Sequence, residues 1–406
     1  MKTVSKVVCL LATVCILSFF PEVGRAADYN VVNALDFTGP LANAGKSLDK
    51  GQQVFFQWWN ETRGSKLGVT LHRKIFDNRY DPSVISSMWP GILASDKPIG
   101  YFGMGMADVA ALVARMPKDK VPMFGASGSY GIIWVPNMWI FHYRPTYMHE
   151  LAAFLNWAHK TSIKNRPVRF ANVTTKAGAF VDMATQVEKF AKETNWVELV
   201  GVEYVDLKPV SIISEMRRLA RKNPDFIIIT SNTAHVLAAI KAQQELGIHI
   251  PIVMSTHNGI QMSAQAAGDI KLFEGHYDVY ACDSGIDMNI PGAKIYNEHK
   301  KKIGIEENWG LTAANEGARM ALFGRAVERA AAKVGANKIT GETVYQAVFE
   351  GPITKEDMLG LTDTLVYSKE AAFPLKNINV RSTTVKNGKQ VLTTEDWIPG
   401  VEIQKY

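Results

Sequence analysis

Cysteine is nearly absent from this 406-residue chain, and two of its three, Cys9 and Cys15, fall within the first 26 residues. Only Cys282 lies beyond them, so no internal disulfide can form in the remainder and packing alone must hold the fold. Metal-ligand spacing is missing too. None of the nine histidines has another four residues away, and His149-Glu150 is not followed by a histidine at the metalloprotease interval. That argues against a metal site, and nothing in the chain calls for a cofactor. Charge of one sign is scarce: 45 basic residues face 39 acidic ones. The net charge of +6 falls to +4 once Lys2, Lys6, Glu22 and Arg25 are removed with the leader. The single basic run, Lys300-Lys301-Lys302, reads as the solvated end of a helix, so there is no case for nucleic acid as a partner. Long apolar runs are missing as well. The most apolar stretch, Val7 to Phe20, is short of the roughly 20 residues that a membrane span needs.

What is present begins with that stretch. Lys2 and Lys6 precede it, and Pro21 and the small-residue site Gly24-Arg25-Ala26 follow it. Residues 1–26 therefore read as a signal peptide cleaved after Ala26, which predicts an exported, soluble protein of the periplasm. Ala12-Thr13-Val14 is a poor match to the site that precedes a lipid-modified cysteine, which argues against an anchor at Cys15.

The remaining residues, about 380, suit two domains better than one at roughly 150 residues each. Apolar runs of strand length recur at Tyr29 to Leu35, Gly68 to Phe76, Ile99 to Phe102 and Val121 to Phe124. Between them, Leu48, Gly51, Phe55, Trp58 and Thr62 share one helix face, and Gly64 is expected to end that helix. Asp81-Pro82-Ser83 starts another, and Asp108 is expected to open the next. A second series has strands near Val168 to Val173, Val197 to Tyr204, Phe226 to Thr230 and Ile250 to Met254. Its helices are expected at Tyr147 to Ser162, Phe180 to Thr194, Ser211 to Asn223 and Thr233 to Leu246. This alternation predicts an α/β protein with two Rossmann-like units of parallel sheet covered by helices on both faces.

In such sheets ligands sit beyond the carboxyl ends of the strands. There the loops read Asp36-Phe37-Thr38-Gly39-Pro40, Gly103-Met104-Gly105-Met106-Ala107, Gly125-Ala126-Ser127-Gly128-Ser129, Ser231-Asn232-Thr233 and Ser255-Thr256-His257-Asn258-Gly259. Each can simply cap the following helix; five in register point to a cleft in which amides and short hydroxyls hold a small anion such as a carboxylate. Two catalytic patterns fail. Gly39 and Gly45 stand too far apart for a phosphate loop ending in Lys46-Ser47, and the elbow-like run at Ser127 ends in Ser129 where glycine is required. No base is spaced to make Ser127 a hydrolase nucleophile, so the chain is not read as an enzyme. The tryptophans Trp58, Trp59, Trp89, Trp134 and Trp139 read as core, while Phe37, Tyr101 and Tyr280 are placed to line an apolar ligand wall.

The leader, the segment Phe37-Thr38-Gly39-Pro40 with Gly45 and Gly51 behind it, Asp77-Asn78-Arg79-Tyr80-Asp81-Pro82, Val121 to Ser127, Phe141-His142-Tyr143-Arg144 and Gly360-Leu361-Thr362-Asp363 stand in a specific order. So does the closing pattern Asn377 to Gly388. Together they resemble the solute-binding proteins of branched-chain amino acid (leucine/isoleucine/valine) ABC transporters. The resemblance implies a type I periplasmic-binding fold, with two lobes joined by three crossover strands near Phe141 to Arg144, Val279 to Asp283 and Leu361 to Tyr367. One lobe would comprise 28–142 with 283–362, and the other 143–282 with 363–406. It places the carboxylate-binding loop on Ala126, Ser127, Gly128 and Ser129, with Gly105, Met106 and Ala107 alongside; Asn232, in the loop after the Phe226 strand, is a further candidate contact. The position that often touches a ligand ammonium falls on His257 or Asn258, where amino-acid binders carry an acid. Further contacts fall near Asn315 and Glu316, and near Ala177, where the family often has an aromatic residue. The implied role is capture of a small organic solute, whether amino acid, amide, or aliphatic or aromatic carboxylate, for ABC permease subunits in the inner membrane. The alternative is a ligand-sensing protein coupled to a regulator or receptor, since the same fold serves both.

Overall fold

The computed structural model describes residues 26–126, 137–176, 179–256, 258–370, 374 and 378–402. Strands β1 (Ala27–Leu35), β2 (Val69–Asp77), β3 (Gly100–Gly103), β4 (Met123–Gly125) and β5 (Ile140–His142) form one sheet in the order β2-β1-β3-β4-β5, parallel throughout. A second sheet holds β6 (Val168–Thr174), β7 (Val197–Tyr204), β8 (Phe226–Ile229), β9 (Ile252–Met254), β10 (Tyr277–Tyr280), β11 (Arg381–Lys386) and β12 (Lys389–Leu392). Its order is β12-β11-β10-β9-β8-β6-β7, parallel except where β11 runs antiparallel to both of its neighbours. The near-continuous Val, Ile and Phe of the inner strands suit sheets buried on both faces. Two α/β lobes result.

The core of the first lobe takes residues from both sides of the second-lobe insertion, Val31 through Tyr143 and then Tyr280 through Tyr367. Its axis is the long helix Leu311–Val334, which can approach closely because it carries small residues at its contacts. A Cβ at Gly317 would stand 2.6 Å from the Phe55 ring, and one at Gly324 would stand 2.6 Å from the Trp59 indole. Phe102 sits at the centre, in edge contact with Phe56 at 5.2 Å and Phe323 at 5.4 Å. The second lobe packs two cores, one on each face of its sheet, and the C-terminal segment contributes Ile378, Val380, Val385 and Ile398 to them.

Local chemistry sets the element ends. Asp81 caps the helix Pro82–Asp96 by accepting from the Ser83 amide at 2.7 Å, with Pro82 at the first helical position. Asn232 caps Thr233–Leu246 in the same way. Three expectations are corrected. The first helix, Ala42–Trp59, does not stop at Gly64; it passes through a wider turn at Asn60–Gly64 into Ser65–Leu67 and ends at Gly68, whose φ of 67° only glycine adopts readily. Asp108 does not begin its helix but lies inside the first turn of Met106–Leu112, accepting from the Gly105 amide at 3.0 Å. The strand expected from Ile250 begins only at Ile252, because the Gln243 side chain takes both the amide and the carbonyl of Ile250. Among the described residues no helix is long and apolar enough to cross a membrane.

Truncating the ring at the centre of the first lobe leaves a cavity the close helix contacts cannot collapse into. Phe102→Ala should lose about 3–5 kcal/mol, read by urea unfolding, with an unchanged far-ultraviolet spectrum at low denaturant.

Candidate functional site

The carboxyl ends of the strands hold the expected loops, and each is fastened from beneath. After β1, buried Asp36 folds the turn by accepting from the amides of Gly39 at 2.5 Å and Leu41 at 2.7 Å. Asp77 at the end of β2 receives the Phe37 amide at 2.9 Å and the Thr38 hydroxyl at 2.7 Å. A Cβ at Gly45 would lie 1.9 Å from the Asp36 carbonyl, which explains the glycine one turn into the helix. After β3, the Gly105, Met106 and Ala107 loop rests on Asp108, which also accepts from Tyr101 at 2.6 Å and Asn78 at 3.2 Å. Burial pushes the Asp108 carboxyl above its ordinary range. After β4, the Ala126 amide donates to the Gly103 carbonyl at 3.2 Å. Ser127, Gly128 and Ser129 lie outside the described residues, as do Trp134, Ala177 and His257.

Between the lobes the crossover segments are bonded into one block. Arg144 and Glu150 form a fully buried, two-pronged pair, with Nε to Oε1 at 3.0 Å and Nη2 to Oε2 closer still. Glu150 also accepts from the Ala281 amide at 2.8 Å, so the pair that closes the first crossover grips the second. Burial pushes the Glu150 carboxyl up, against the pull of Arg144, that amide and Thr256. The Tyr367 hydroxyl donates to the His142 carbonyl at 2.7 Å and the Asp283 amide to the Leu361 carbonyl at 2.6 Å, tying the third crossover to both others. The Arg144 guanidinium lies 4.6 Å from the centre of the Tyr147 ring.

Several expected contacts are redirected. Asn258 is fully buried with its amide stapling two strand ends: Nδ2 donates to Ile229 at 2.9 Å and Ser231 at 2.8 Å, and Oδ1 accepts from Ser255 at 2.8 Å. Glu316, expected among the ligand contacts, is turned into the core. It is buried in the first lobe beside Gly51 and paired with Arg319 at 2.6 Å, and Arg319 in turn donates to the carbonyls of Gly103 and Phe124. The pair needs each other there, since either charge alone would be stranded in the core. Tyr101 and Tyr280 are not a ligand wall either. Each hydroxyl bonds a buried aspartate, Asp108 and Asp278, and burial lifts the Asp278 carboxyl to about 6. Asn232 serves as a cap, bonding Ala234 at 3.0 Å and His235 at 2.8 Å.

Asn315 does reach the junction. Its Oδ1 accepts from the Tyr143 hydroxyl at 2.7 Å and the Cys282 thiol at 3.0 Å, one from each of two crossovers. Among the described residues, buried polar atoms that make no hydrogen bond include Asp283 Oδ2 and Ser284 Oγ at the end of the second crossover and Ser231 Oγ after β8. Burial lifts the Asp283 carboxyl to about 6. Asp283 was placed only as the end of a crossover and Ser284 follows it rather than a Gly-rich loop, so neither stood out as a contact in the sequence, and Tyr80 did not because a tyrosine in a turn has no periodicity. Tyr80 covers the Gly105 loop, where a Cβ would lie 2.7 Å from its hydroxyl.

Two tests follow from the buried block. Arg144→Met alone should cost about 3–5 kcal/mol in chemical unfolding by stranding Glu150, and Arg144→Met with Glu150→Leu should recover most of it. His142, squeezed between burial, Arg144 and Arg319, is held down to about 3. A depressed folded value means its contribution is whole above about 6.5 and is lost as pH falls from there towards about 3. Against His142→Gln, the wild-type advantage should therefore shrink by about 1.4 kcal/mol per pH unit across that window.

The chain matches the periplasmic binding protein family over residues 29–370. Among solved structures it is similar to a substrate-binding protein of an ABC transporter from Aeropyrum pernix, at 18% identity and a TM-score of 0.76 over 90% of this chain and 95% of that one. It is likewise similar to a branched-chain amino acid ABC transporter protein from Thermus thermophilus with bound valine (19%, TM-score 0.75, 93% and 97%). A fatty acid ABC transporter substrate-binding protein from Thermomonospora curvata is similar at 18% identity, with a TM-score of 0.73 and 93% of each chain covered. No curated protein sequence matches. At these identities the structural likeness speaks for the fold, and the family match, which spans most of the chain, speaks for descent. The two-lobed architecture, its bonded crossovers and that match agree: the chain belongs to the periplasmic binding proteins, a family of solute binders rather than enzymes.

Proposed function

We propose that this protein, once exported to the periplasm, captures a small organic solute between its lobes and delivers it to the permease subunits of an ABC importer. The lobes in this reading are 28–142 with 283–362 and 143–282 with 363–406. The observation that carries it is Asn315, fixed through Oδ1 by two crossovers while its amide nitrogen makes no hydrogen bond in the described structure. A ligand acceptor placed there would feel both segments about which the lobes move, so binding favours the closed arrangement.

The solute class is an amino acid, an amide, or a small aliphatic or aromatic carboxylate. Support comes from the Ser127 to Ser129 and Gly105 to Ala107 loops as donors, from the similar proteins described with valine and fatty acids, and from the redirection of Glu316 into the core. Among the described residues two buried carboxylate oxygens make no hydrogen bond, Glu316 Oε2 and Asp283 Oδ2, and Glu316 is already neutralised by Arg319, which leaves Asp283 as the carboxylate for an ammonium group. Carboxylates and amides without an amine fit the remaining donors better than leucine does.

A thermal-shift screen of mature protein, refolded free of carried-over solute, tests this directly. At about 100 times its dissociation constant a ligand should add roughly 2.7 kcal/mol, seen as a raised midpoint. We expect a carboxylate or amide to give the shift and Ser127→Ala/Ser129→Ala to abolish it. A panel that shifts nothing overturns the solute class, and a full shift in the double variant overturns the site.

A further inference from the structure

At the opposite end of the second lobe, before β9 and β10, lies a cavity of about 250 Å³. Its floor is His276, which is buried, and its walls include His249, Lys271, Glu274 and Gln244. The Ile252 amide donates to His276 Nδ1 at 3.0 Å, so in the neutral ring the proton must sit on Nε2. Burial and the neighbouring His249 hold His276 down to about 4, so the ring stays neutral at ordinary pH. Among the described residues the His276 ring makes no other hydrogen bond, and its Nε2–H is the donor left over in a residue that lines the cavity.

Two acceptors of the lining are already used. Glu274 takes the amides of Asn387 at 2.7 Å and Gly388 at 3.0 Å, and Gln243 exchanges both amide groups with Ile250. Among the described residues the Lys271 ammonium makes no ion pair or hydrogen bond, and its stem lies along Gly388. The two imidazoles, with ring centres 5.0 Å apart, suggest a metal pair at first sight. That option fails on the proton: a metal at His276 Nε2 would need an imidazolate, because Nδ1 is already accepting. What remains is a concave site with donors to spare, one of them a cation.

We propose that this cavity is a second binding site, separate from the inter-lobe cleft, that takes a small monoanionic carboxylate. Lys271 Nζ and His276 Nε2–H donate to its oxygens while His249 covers one side. The Glu274 carboxylate nearby disfavours ligands of higher charge, which sets the preference for a monoanion over phosphate.

The experiment is a titration of the full mature protein with acetate, and separately with inorganic phosphate at matched ionic strength, following the imidazole C–H signals of His249 and His276 by NMR. Acetate should shift both signals saturably and phosphate should do so more weakly. Lys271→Met should weaken the acetate response by about 5-fold or more, as expected for loss of a charge-assisted bond, while His276 keeps its neutral signature. His249→Gln, an exposed position, provides a second variant in which the His276 signal still reports. Signals that move linearly without saturation, or a Lys271→Met protein that responds as the wild type does, overturn the site. Tighter phosphate than acetate overturns the ligand class.

Discussion

The crossovers of this fold are bonded together around one buried ion pair. Arg144 and Glu150 are buried where the chain first leaves the first lobe, and the two-pronged contact they make offsets their desolvation. Glu150 has a second duty, receiving the Ala281 amide where the chain passes back. Two long excursions of the backbone are thereby held side by side, and the Tyr367 and Asp283 bonds add the third. A binding protein of this kind must bend without coming apart. Polar bonds tie the short crossovers together while each lobe keeps an apolar core of its own, which separates those two demands.

The first lobe solves a different problem with the same economy. Its central helix supplies Arg319, which holds the carbonyl ends of β3 and β4 and so fixes the platform from which the Gly105 and Ala126 loops rise. Glu316 neutralises it from one helical turn away. The loops are consequently positioned by buried charge rather than by their own stiffness. Loops of Gly, Ser and Thr can then present amides and hydroxyls without forming a core of their own.

Much of the architecture was legible in the sequence because it is written in periodicity. Runs such as Phe226 to Thr230 and stripes such as Leu48, Gly51 and Phe55 carry their structure locally, and the strand and helix order followed from them. The misses have physical causes. Gly64 looked like a stop, yet the chain absorbs it in a wider turn and stops at Gly68, where positive φ is required. Asn387-Gly388 joins β11 to β12 as a hairpin, so that pair is antiparallel where alternation with helices alone would suggest parallel strands. The site was less legible. A glutamate on a long helix carries no local mark that distinguishes a ligand partner from the mate of Arg319, and Asn258 looks the same in sequence whether it meets a solute or staples two strands. Only the fold tells which carbonyls lie within reach.

The central claim is that the crossovers form a hinge and that solute between the lobes closes it. Small-angle X-ray scattering, with and without the solute that raises the thermal midpoint most, tests this with no assumption about individual contacts. The account predicts a smaller radius of gyration at saturation, returning to the free value when the solute is removed. An unchanged scattering curve under saturating solute would contradict it.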